Sequence, residues 1–289
     1  MSLFELVERP DLEAPVLILA LDGWIDAGLG AANARSALMA DLQPVTVALF
    51  DSDQLLDHRA RRPTMRLVDG VVDGLTWPTV ELQAASDTHG NDVLLLVGAE
   101  PDHAWRAFTR AVVDLAMEFG SRMVIGLGAY PAPVPHTRPT KLAVTAGDAS
   151  LIRHDMVRAT LDVPAGVQAA IERRATDVGL PAIGLWAQVP HYVAAMPYPA
   201  ASVALLEGLS TVGGLSIDSP ALRDELNGTR ERIDSLIGQN DEHLRMVQQL
   251  EAAADTERAP EAGTALGAGP LPSGDELAAE LERFLREQD

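Results

Sequence analysis

Met123-Val124-Ile125 is an apolar triplet that leads into Gly126-Leu127-Gly128-Ala129-Tyr130-Pro131-Ala132-Pro133-Val134-Pro135-His136-Thr137-Arg138-Pro139. The triplet predicts a buried strand. Four prolines then fix φ and remove backbone donors, so we expect a stiff loop from Gly126 onward that cannot pair as a central strand. Rigid loops at the carboxyl ends of strands are common binding sites in open α/β sheets. The stretch therefore predicts either a pre-shaped binding loop or a proline-stiffened crossover.

The segments around this stretch alternate between short apolar runs and longer helical patterns, which predicts an α/β fold, a three-layer α/β/α sandwich. Residues 65–85 alternate apolar and polar side chains around Asp69-Gly70, which favours antiparallel strands or a hairpin. Strands are expected at residues 16–21, 45–50, 92–98, 123–125, 141–145 and 182–187. Helices are expected at residues 29–42, 102–119, 165–178 and 199–209.

The pattern changes after the last core strand and helix. Residues 1–215 are interpreted as the α/β core, and the charged residues 216–256 as a helical extension, one long helix or a helical hairpin. Residues 257–273 are rich in Ala, Gly and Pro and predict a flexible linker. Residues 274–289 predict a terminal amphipathic helix, with an apolar stripe from Leu277 to Leu285.

Composition excludes several classes of function. The chain of 289 residues carries a formal charge of −20, which disfavours nucleic acid and anionic membrane surfaces as partners. It has no cysteine, so disulfides, a thiol nucleophile and Cys-ligated metal are excluded. No apolar run is long enough to span a membrane, and the first residues lack the pattern of a signal peptide. We expect a cytoplasmic protein without a cofactor or a metal.

Gly23, Trp24 and Asp26 lie between a predicted strand and a predicted helix. Backbone amides at such a turn can bind an anion. The alternative is a tight turn in which Asp26 caps the helix, and a capping carboxylate there would compete with a phosphate.

A charge-dense segment, residues 51–63, follows the second strand. Its acidic start contains Asp53, and Arg59 and Arg62 follow. Such arginines can recognise a carboxylate or phosphate. The alternatives are a solvated loop that compensates its own charges or an oligomer contact.

His136 and Arg138, together with His191 and Tyr192, follow two further strands. They could supply an acid–base group and an anion clamp, although their convergence does not follow from the sequence. The histidines lack a third ligand at metal-binding spacing, and the chain has no Gly-x-Ser-x-Gly nucleophile motif. We therefore predict candidate ligand-binding residues but no catalytic residues.

These stretches together resemble the proteasome assembly chaperone 2 family, specifically its actinobacterial branch, over roughly residues 1–250. The resemblance rests on five stretches that occur in this order: residues 23–28, 51–63, 131–139, 189–192 and 197–201. It implies a three-layer fold related to nucleoside phosphorylases and peptidyl hydrolases. It also implies oligomerisation and, in eukaryotes, the escorting of proteasome α-subunits. Related chaperones dock through a C-terminal hydrophobic–Tyr–any-residue tail, whereas this chain ends Arg286-Glu287-Gln288-Asp289.

Two hypotheses follow. The leading one is an oligomeric protein-binding factor that resembles the assembly chaperones, self-associates and binds a protein client. The alternative is a small-molecule enzyme or binder with a phosphorylase- or hydrolase-like pocket at the carboxyl ends of the strands. The alternative predicts that six residues converge on one pocket: Gly23, Asp26, Arg62, His136, Arg138 and His191.

Overall fold

A computed structural model describes residues 3–257 of the chain. The strands are β1 Phe4–Leu6, β2 Val16–Asp22, β3 Val45–Phe50, β4 Thr64–Val68, β5 Val71–Thr76, β6 Val80–Ser86, β7 Asp92–Ala99, β8 Met123–Ala132, β9 Leu142–Ala146 and β10 Ala182–Pro190. The helices are α1 Gly30–Leu42, α2 Ser52–Leu55, α3 Trp105–Glu118, α4 Val167–Asp177, α5 Pro199–Gly213, α6 Pro220–Gly238 and α7 Asp241–Glu257. The predicted linker and terminal helix lie outside the described residues.

Eight strands form one mixed sheet in the order β1-β3-β6-β7-β2-β8-β10-β9. The strands β7, β2, β8 and β10 are mutually parallel. The strand β3 runs in the same direction, because β6 is antiparallel to both β3 and β7. The carboxyl ends of β2, β3, β8 and β10 therefore lie at one edge of the sheet.

Two apolar layers cover the sheet, and strand β2 shows how its side chains divide between them. Val16, Ile18 and Ala20 pack with helices α1 and α5 on one face. Leu17 and Leu19 pack with α3 and α4 on the other. Successive side chains of a strand point to opposite faces, so a continuous apolar run is what a strand buried on both faces requires. This arrangement confirms the α/β fold class.

Strand β8 corrects the expected start of the proline loop. It continues past Gly126 to Ala132 and pairs with β10 from Val124 to its end, with Pro131 opposite Val189. Its regular pairing with β2 ends at Gly126. Pro131 therefore lies where β8 has one neighbouring strand in the ladder, an edge position in which proline is tolerated.

The helical extension is a hairpin of α6 and α7 rather than one long helix, and it packs on the core. Ile233 and Ile237 of α6 and Val247 of α7 are buried in the same apolar cluster as α1 and α5. None of the helices in residues 3–257 is long and apolar enough to cross a membrane.

Strands β4 and β5 form a separate two-stranded sheet. Asp69 and Gly70 connect them, both with positive φ (49° and 81°), as a tight two-residue hairpin turn requires. The expected hairpin is thus present, and β6 continues from it into the main sheet. Every residue of β4 and β5 is exposed.

Candidate functional site

Asp26 caps helix α1. Its carboxylate accepts hydrogen bonds from the backbone N–H groups of Ala31 (2.7 Å) and Ala32 (2.9 Å). Gly28 has a φ of 62°, and a Cβ there would lie 2.7 Å from Cβ of Tyr198, so the turn needs glycine on two grounds. Burial raises the pKa of Asp26 although those two N–H groups lower it. The structure therefore shows the capping alternative. The backbone N–H groups that would bind an anion at this helix start already donate to the Asp26 carboxylate.

Gly23 and Trp24 lie beside this turn, and both are exposed. The exposed fraction of Trp24 is 58%. A Cβ on Gly166, just before α4, would lie 3.4 Å from Cδ1 of Trp24. The first helical N–H of α4, that of Val167, donates to the buried Glu100 at 2.6 Å. Trp24 therefore covers the start of α4 while much of its ring faces solvent.

The loop after β3 lies apart from the β2 turn. Strands β6 and β7 separate β3 from β2, a distance of roughly 14 Å at ordinary strand spacing. The Oδ1 atom of Asp53 lies 3.0 Å from Nε2 of His58. Arg59 and Arg62 are exposed, and their side chains have no hydrogen-bonding or ionic partner among residues 3–257. The candidate residues of this loop are therefore not brought together with the others.

His136 is the centre of a buried network. The residue is only 6% exposed. Its Nδ1 lies 2.7 Å from the Tyr192 hydroxyl, its backbone N–H donates to the same hydroxyl at 2.8 Å, and its Nε2 lies 2.9 Å from Asp234 Oδ1. These contacts are satisfied when Nε2 carries a proton that it donates to Asp234 and Nδ1 accepts from the hydroxyl. Burial raises the pKa of Tyr192 to about 12, so its hydroxyl keeps the proton that it donates.

Arg138 makes an anion clamp, and its anions come from the same chain. The guanidinium donates to both carboxylate oxygens of Asp255, at 2.9 and 2.7 Å, and to Glu251 at 3.2 Å. Thr137 also donates to Glu251. The hydrogen bond to Asp255 raises the pKa of Arg138 above its ordinary value. Residues 136–138 thus hold both helices of the extension, through Asp234 on α6 and Glu251 and Asp255 on α7; we call this loop the latch loop.

His191 follows β10 and is exposed. Its ring stacks edge-to-face with Tyr192 at a centroid distance of 5.3 Å, and the Tyr192 ring in turn contacts His136 at 5.8 Å. His136 and Tyr192 therefore converge, and His191 lies beside them on the solvent side.

A cavity of about 310 Å³ lies between the latch loop, the start of α5 and helix α6. His136 and Arg138 line it, together with Tyr198, Glu207 and Arg230. Gly23, Asp26, Arg62 and His191 do not. The expected six-residue pocket is therefore wrong, and His136 and Arg138 are the two of those residues that line the cavity. The Asp26 carboxylate caps α1 instead, and Arg62 follows β3, which β6 and β7 separate from β2. In residues 3–257 no cluster of three or more His, Asp or Glu side chains could hold a metal ion.

The sequence interpretation missed the three carboxylates that engage the latch loop. Asp234, Glu251 and Asp255 fall within the charged residues 216–256, and none of them was singled out as a site residue. One signal was present: Glu251 and Asp255 are four residues apart, so they lie on one face of a helix. Nothing in the sequence paired that face with Arg138, 113 and 117 residues away.

The solved structures similar to this chain include proteins from Corynebacterium and Mycobacterium. A protein of unknown function from Corynebacterium glutamicum is 32% identical with a TM-score of 0.83, over 89% of this chain and 98% of that one. The Mycobacterium tuberculosis unknown function protein Rv2714 is 35% identical with a TM-score of 0.81, over 88% and 91%. The proteasome-assembly chaperone homologue Rv2125 of M. tuberculosis is 30% identical with a TM-score of 0.74, over 80% and 99%.

Comparison with the curated proteins gave no match. The model of the PAC2 family matches residues 20–237, which include the β2 turn, the loop after β3, the latch loop and most of α6. The chain belongs to the PAC2 family.

Proposed function

We propose that the chain is a protein-binding factor of the proteasome-assembly type, which self-associates and acts in the cytoplasm. Family membership and the 30% identity with a proteasome-assembly chaperone homologue support a role of this kind. The observation that carries the proposal is the docking of α6 and α7 on the latch loop. Glu251 and Asp255 occupy the predicted anion clamp at Arg138. A client protein therefore contacts the surface of the chain rather than an open anion-binding site.

The test uses purified proteasome α- and β-subunits from the same organism. We expect the chain to co-elute with unassembled α-subunits in size-exclusion chromatography and to change the rate at which complete particles appear on native gels. An unrelated protein of similar size and net charge is the control, since a charge of −20 could attract basic surfaces without specificity. Absence of co-elution together with an unchanged assembly rate would overturn the proposal.

The cavity beside the latch loop favours a second candidate function, binding of a small anionic molecule. Its volume of about 310 Å³ is at the lower end of ligand sites, and Arg230 supplies a charge that residues 3–257 leave without an ionic partner. Phosphate, nucleosides and small carboxylates are the probes for a thermal-shift screen. A rise in Tm that Arg230→Ala abolishes would support this function. No shift with any probe would remove it.

A further inference from the structure

The cavity beside the latch loop has two helical walls, one from α5 and one from α6. The lining residues of each helix are spaced i, i+3, i+4 and i+7, which places them on one face of that helix. On α5 they are Ala200, Val203, Ala204 and Glu207. On α6 they are Leu226, Thr229, Arg230 and Ile233. The cavity therefore lies between one face of α5 and one face of α6.

Each of these two walls carries one charged side chain. Glu207 on α5 and Arg230 on α6 are both exposed, and both line the cavity. They do not pair with each other, and neither side chain has a hydrogen-bonding or ionic partner among residues 3–257. Arg138, the other arginine of the lining, is held by Glu251 and Asp255. The cavity thus offers a ligand one cation and one anion that the described part of the chain leaves unpaired.

The positive end of the cavity lies at the start of α5. Burial raises the pKa of Tyr198 although the charge of Arg230 lowers it, so the guanidinium lies near this residue, which immediately precedes the helix. No side chain caps the helix start, and Pro199 and Ala200 at that start line the cavity. The positive end of the helix dipole adds to the charge of Arg230 there. This end of the cavity therefore favours a carboxylate.

The negative group lies further along the same helix. Glu207 follows Pro199 by about two turns, or roughly 12 Å along the helix axis. The apolar side chains of Val203 and Ala204 line the cavity between them. A ligand that occupies the cavity thus meets a positive end, an apolar middle and a carboxylate.

This distribution favours a zwitterion over a simple anion. An anion at Arg230 would share the cavity with the Glu207 carboxylate, and the net charge of −20 opposes the approach of any anion. A zwitterion has no net charge and pairs with both side chains. Charge-assisted hydrogen bonds are about twice as strong as neutral ones, so the two contacts together also provide selectivity.

We propose that the cavity binds a small amino acid with an aliphatic side chain. Its carboxylate binds Arg230 at the start of α5, its ammonium group binds Glu207, and its side chain packs on the apolar wall at Val203 and Leu226. The volume of about 310 Å³ is at the lower end of ligand sites, which suits a molecule of this size. The inference rests on the second candidate function, anion binding at Arg230, and adds the ligand class and the second charge that selects it.

The test uses three ligands that share one carbon skeleton. L-leucine carries both charged groups, isocaproate lacks the amine, and isoamylamine lacks the carboxylate. In isothermal titration calorimetry with the full chain, we expect L-leucine to bind on the order of 10-fold more tightly than either analogue. Each analogue loses one charge-assisted contact, and a loss of this kind corresponds to about that factor.

Two variants assign the contacts to the two walls. Glu207→Gln keeps the size of the side chain and removes its charge, so L-leucine should bind no better than isocaproate. Arg230→Ala should abolish the binding of both. Glu225→Gln is the matched control, because it removes the same charge at an exposed position of α6 that does not line the cavity. It should leave every affinity unchanged.

The outcomes distinguish this inference from the functions proposed above. A loss of L-leucine affinity in Glu207→Gln but not in Glu225→Gln supports the amino acid site. Equal wild-type affinities for L-leucine and isocaproate, both abolished by Arg230→Ala, overturn the amino acid site and retain carboxylate binding at Arg230. Failure of the wild type to bind any of the three ligands overturns the amino acid site, whereas co-elution with proteasome α-subunits is measured separately and does not depend on it.

Discussion

The latch loop and the loop after β3 leave the same edge of the sheet with similar residues, yet their surroundings differ. In the latch loop, His136 and Arg138 meet Asp234, Glu251 and Asp255 of the same chain. In the loop after β3, the side chains of Arg59 and Arg62 meet no carboxylate among residues 3–257, and every residue of the two hairpin strands that follow is exposed.

This difference shows that a cluster of His, Arg and Asp in a sequence does not by itself identify a ligand site. What matters is whether the chain supplies the counter-charge. The latch loop is satisfied by helices that lie 98 to 117 residues further along. In the loop after β3, Arg61 pairs with Asp102, whereas the side chains of Arg59 and Arg62 have no such partner among residues 3–257. Changes at Ile233, Tyr192 and Arg138 test the first half of this comparison, which is the internal attachment of α6 and α7.

The largest effect is expected from removing the apolar contact that holds α6. Ile233 is 1% exposed and packs in the core, whereas Leu236 on the same helix is 57% exposed. Ile233→Ala should lower the free energy of unfolding in urea by about 3 kcal/mol, because it leaves a cavity. Leu236→Ala is the matched control and should change it by less than about 0.5 kcal/mol. Equal small losses would mean that α6 is not anchored by this face.

A buried carboxylate in the core gives the next effect, and it depends on pH. Burial raises the pKa of Glu172 from its ordinary 4.5 to about 7, although Thr145 and Gln168 donate hydrogen bonds to it. The unfolded chain therefore ionises this group at lower pH than the folded chain, and stability is lost as pH rises from about 4.5 through about 7. Glu172→Gln should be more stable than wild type at pH 8 by on the order of 2 kcal/mol, with little difference near pH 4.5.

The measurement for Glu172→Gln is denaturant unfolding at several pH values. Glu225→Gln, at an exposed position of α6, is the control and should follow the wild-type profile. A constant difference between Glu172→Gln and wild type at every pH would contradict the prediction, since a group that does not titrate in this range produces no slope.

Tyr192→Phe tests the hydrogen bonds of the latch loop. It removes the hydroxyl that contacts both the backbone N–H and Nδ1 of His136, and the loss should be about 1–2 kcal/mol. Asp234→Ala removes the contact on the other side of the same ring. Because both changes act through His136, their combined effect on unfolding should depart from the sum by more than about 0.5 kcal/mol. Strict additivity would mean that the two bonds are independent.

The smallest effect compares the two arginine environments directly. Arg138→Ala removes the contacts to Glu251 and Asp255, and hydrogen exchange should show several-fold faster exchange of the α7 amides with little change in overall stability. Arg59→Ala, the control from the other loop, should leave exchange in α7 unchanged. If both variants behave alike, the latch loop does not hold α7.

Much of the architecture was predictable because it depends on local patterns. The apolar run before Asp22 predicted a strand buried on both faces, and Asp69-Gly70 predicted a hairpin turn. The end of β8 was not predictable. Whether Pro131 can continue a strand depends on which neighbouring strand has already separated from it, and that is a property of the assembled sheet.

For the site, the sequence by itself determined which residue types leave the sheet edge and a family resemblance that the comparisons confirm. Only the tertiary structure decided that Asp26 caps a helix, that His136 meets Tyr192, and that Arg138 binds the chain's own carboxylates. The physical reason is range. Periodicity and turn chemistry act within a few residues, whereas the partner of a charge or an apolar face is set by contacts between segments far apart in the chain.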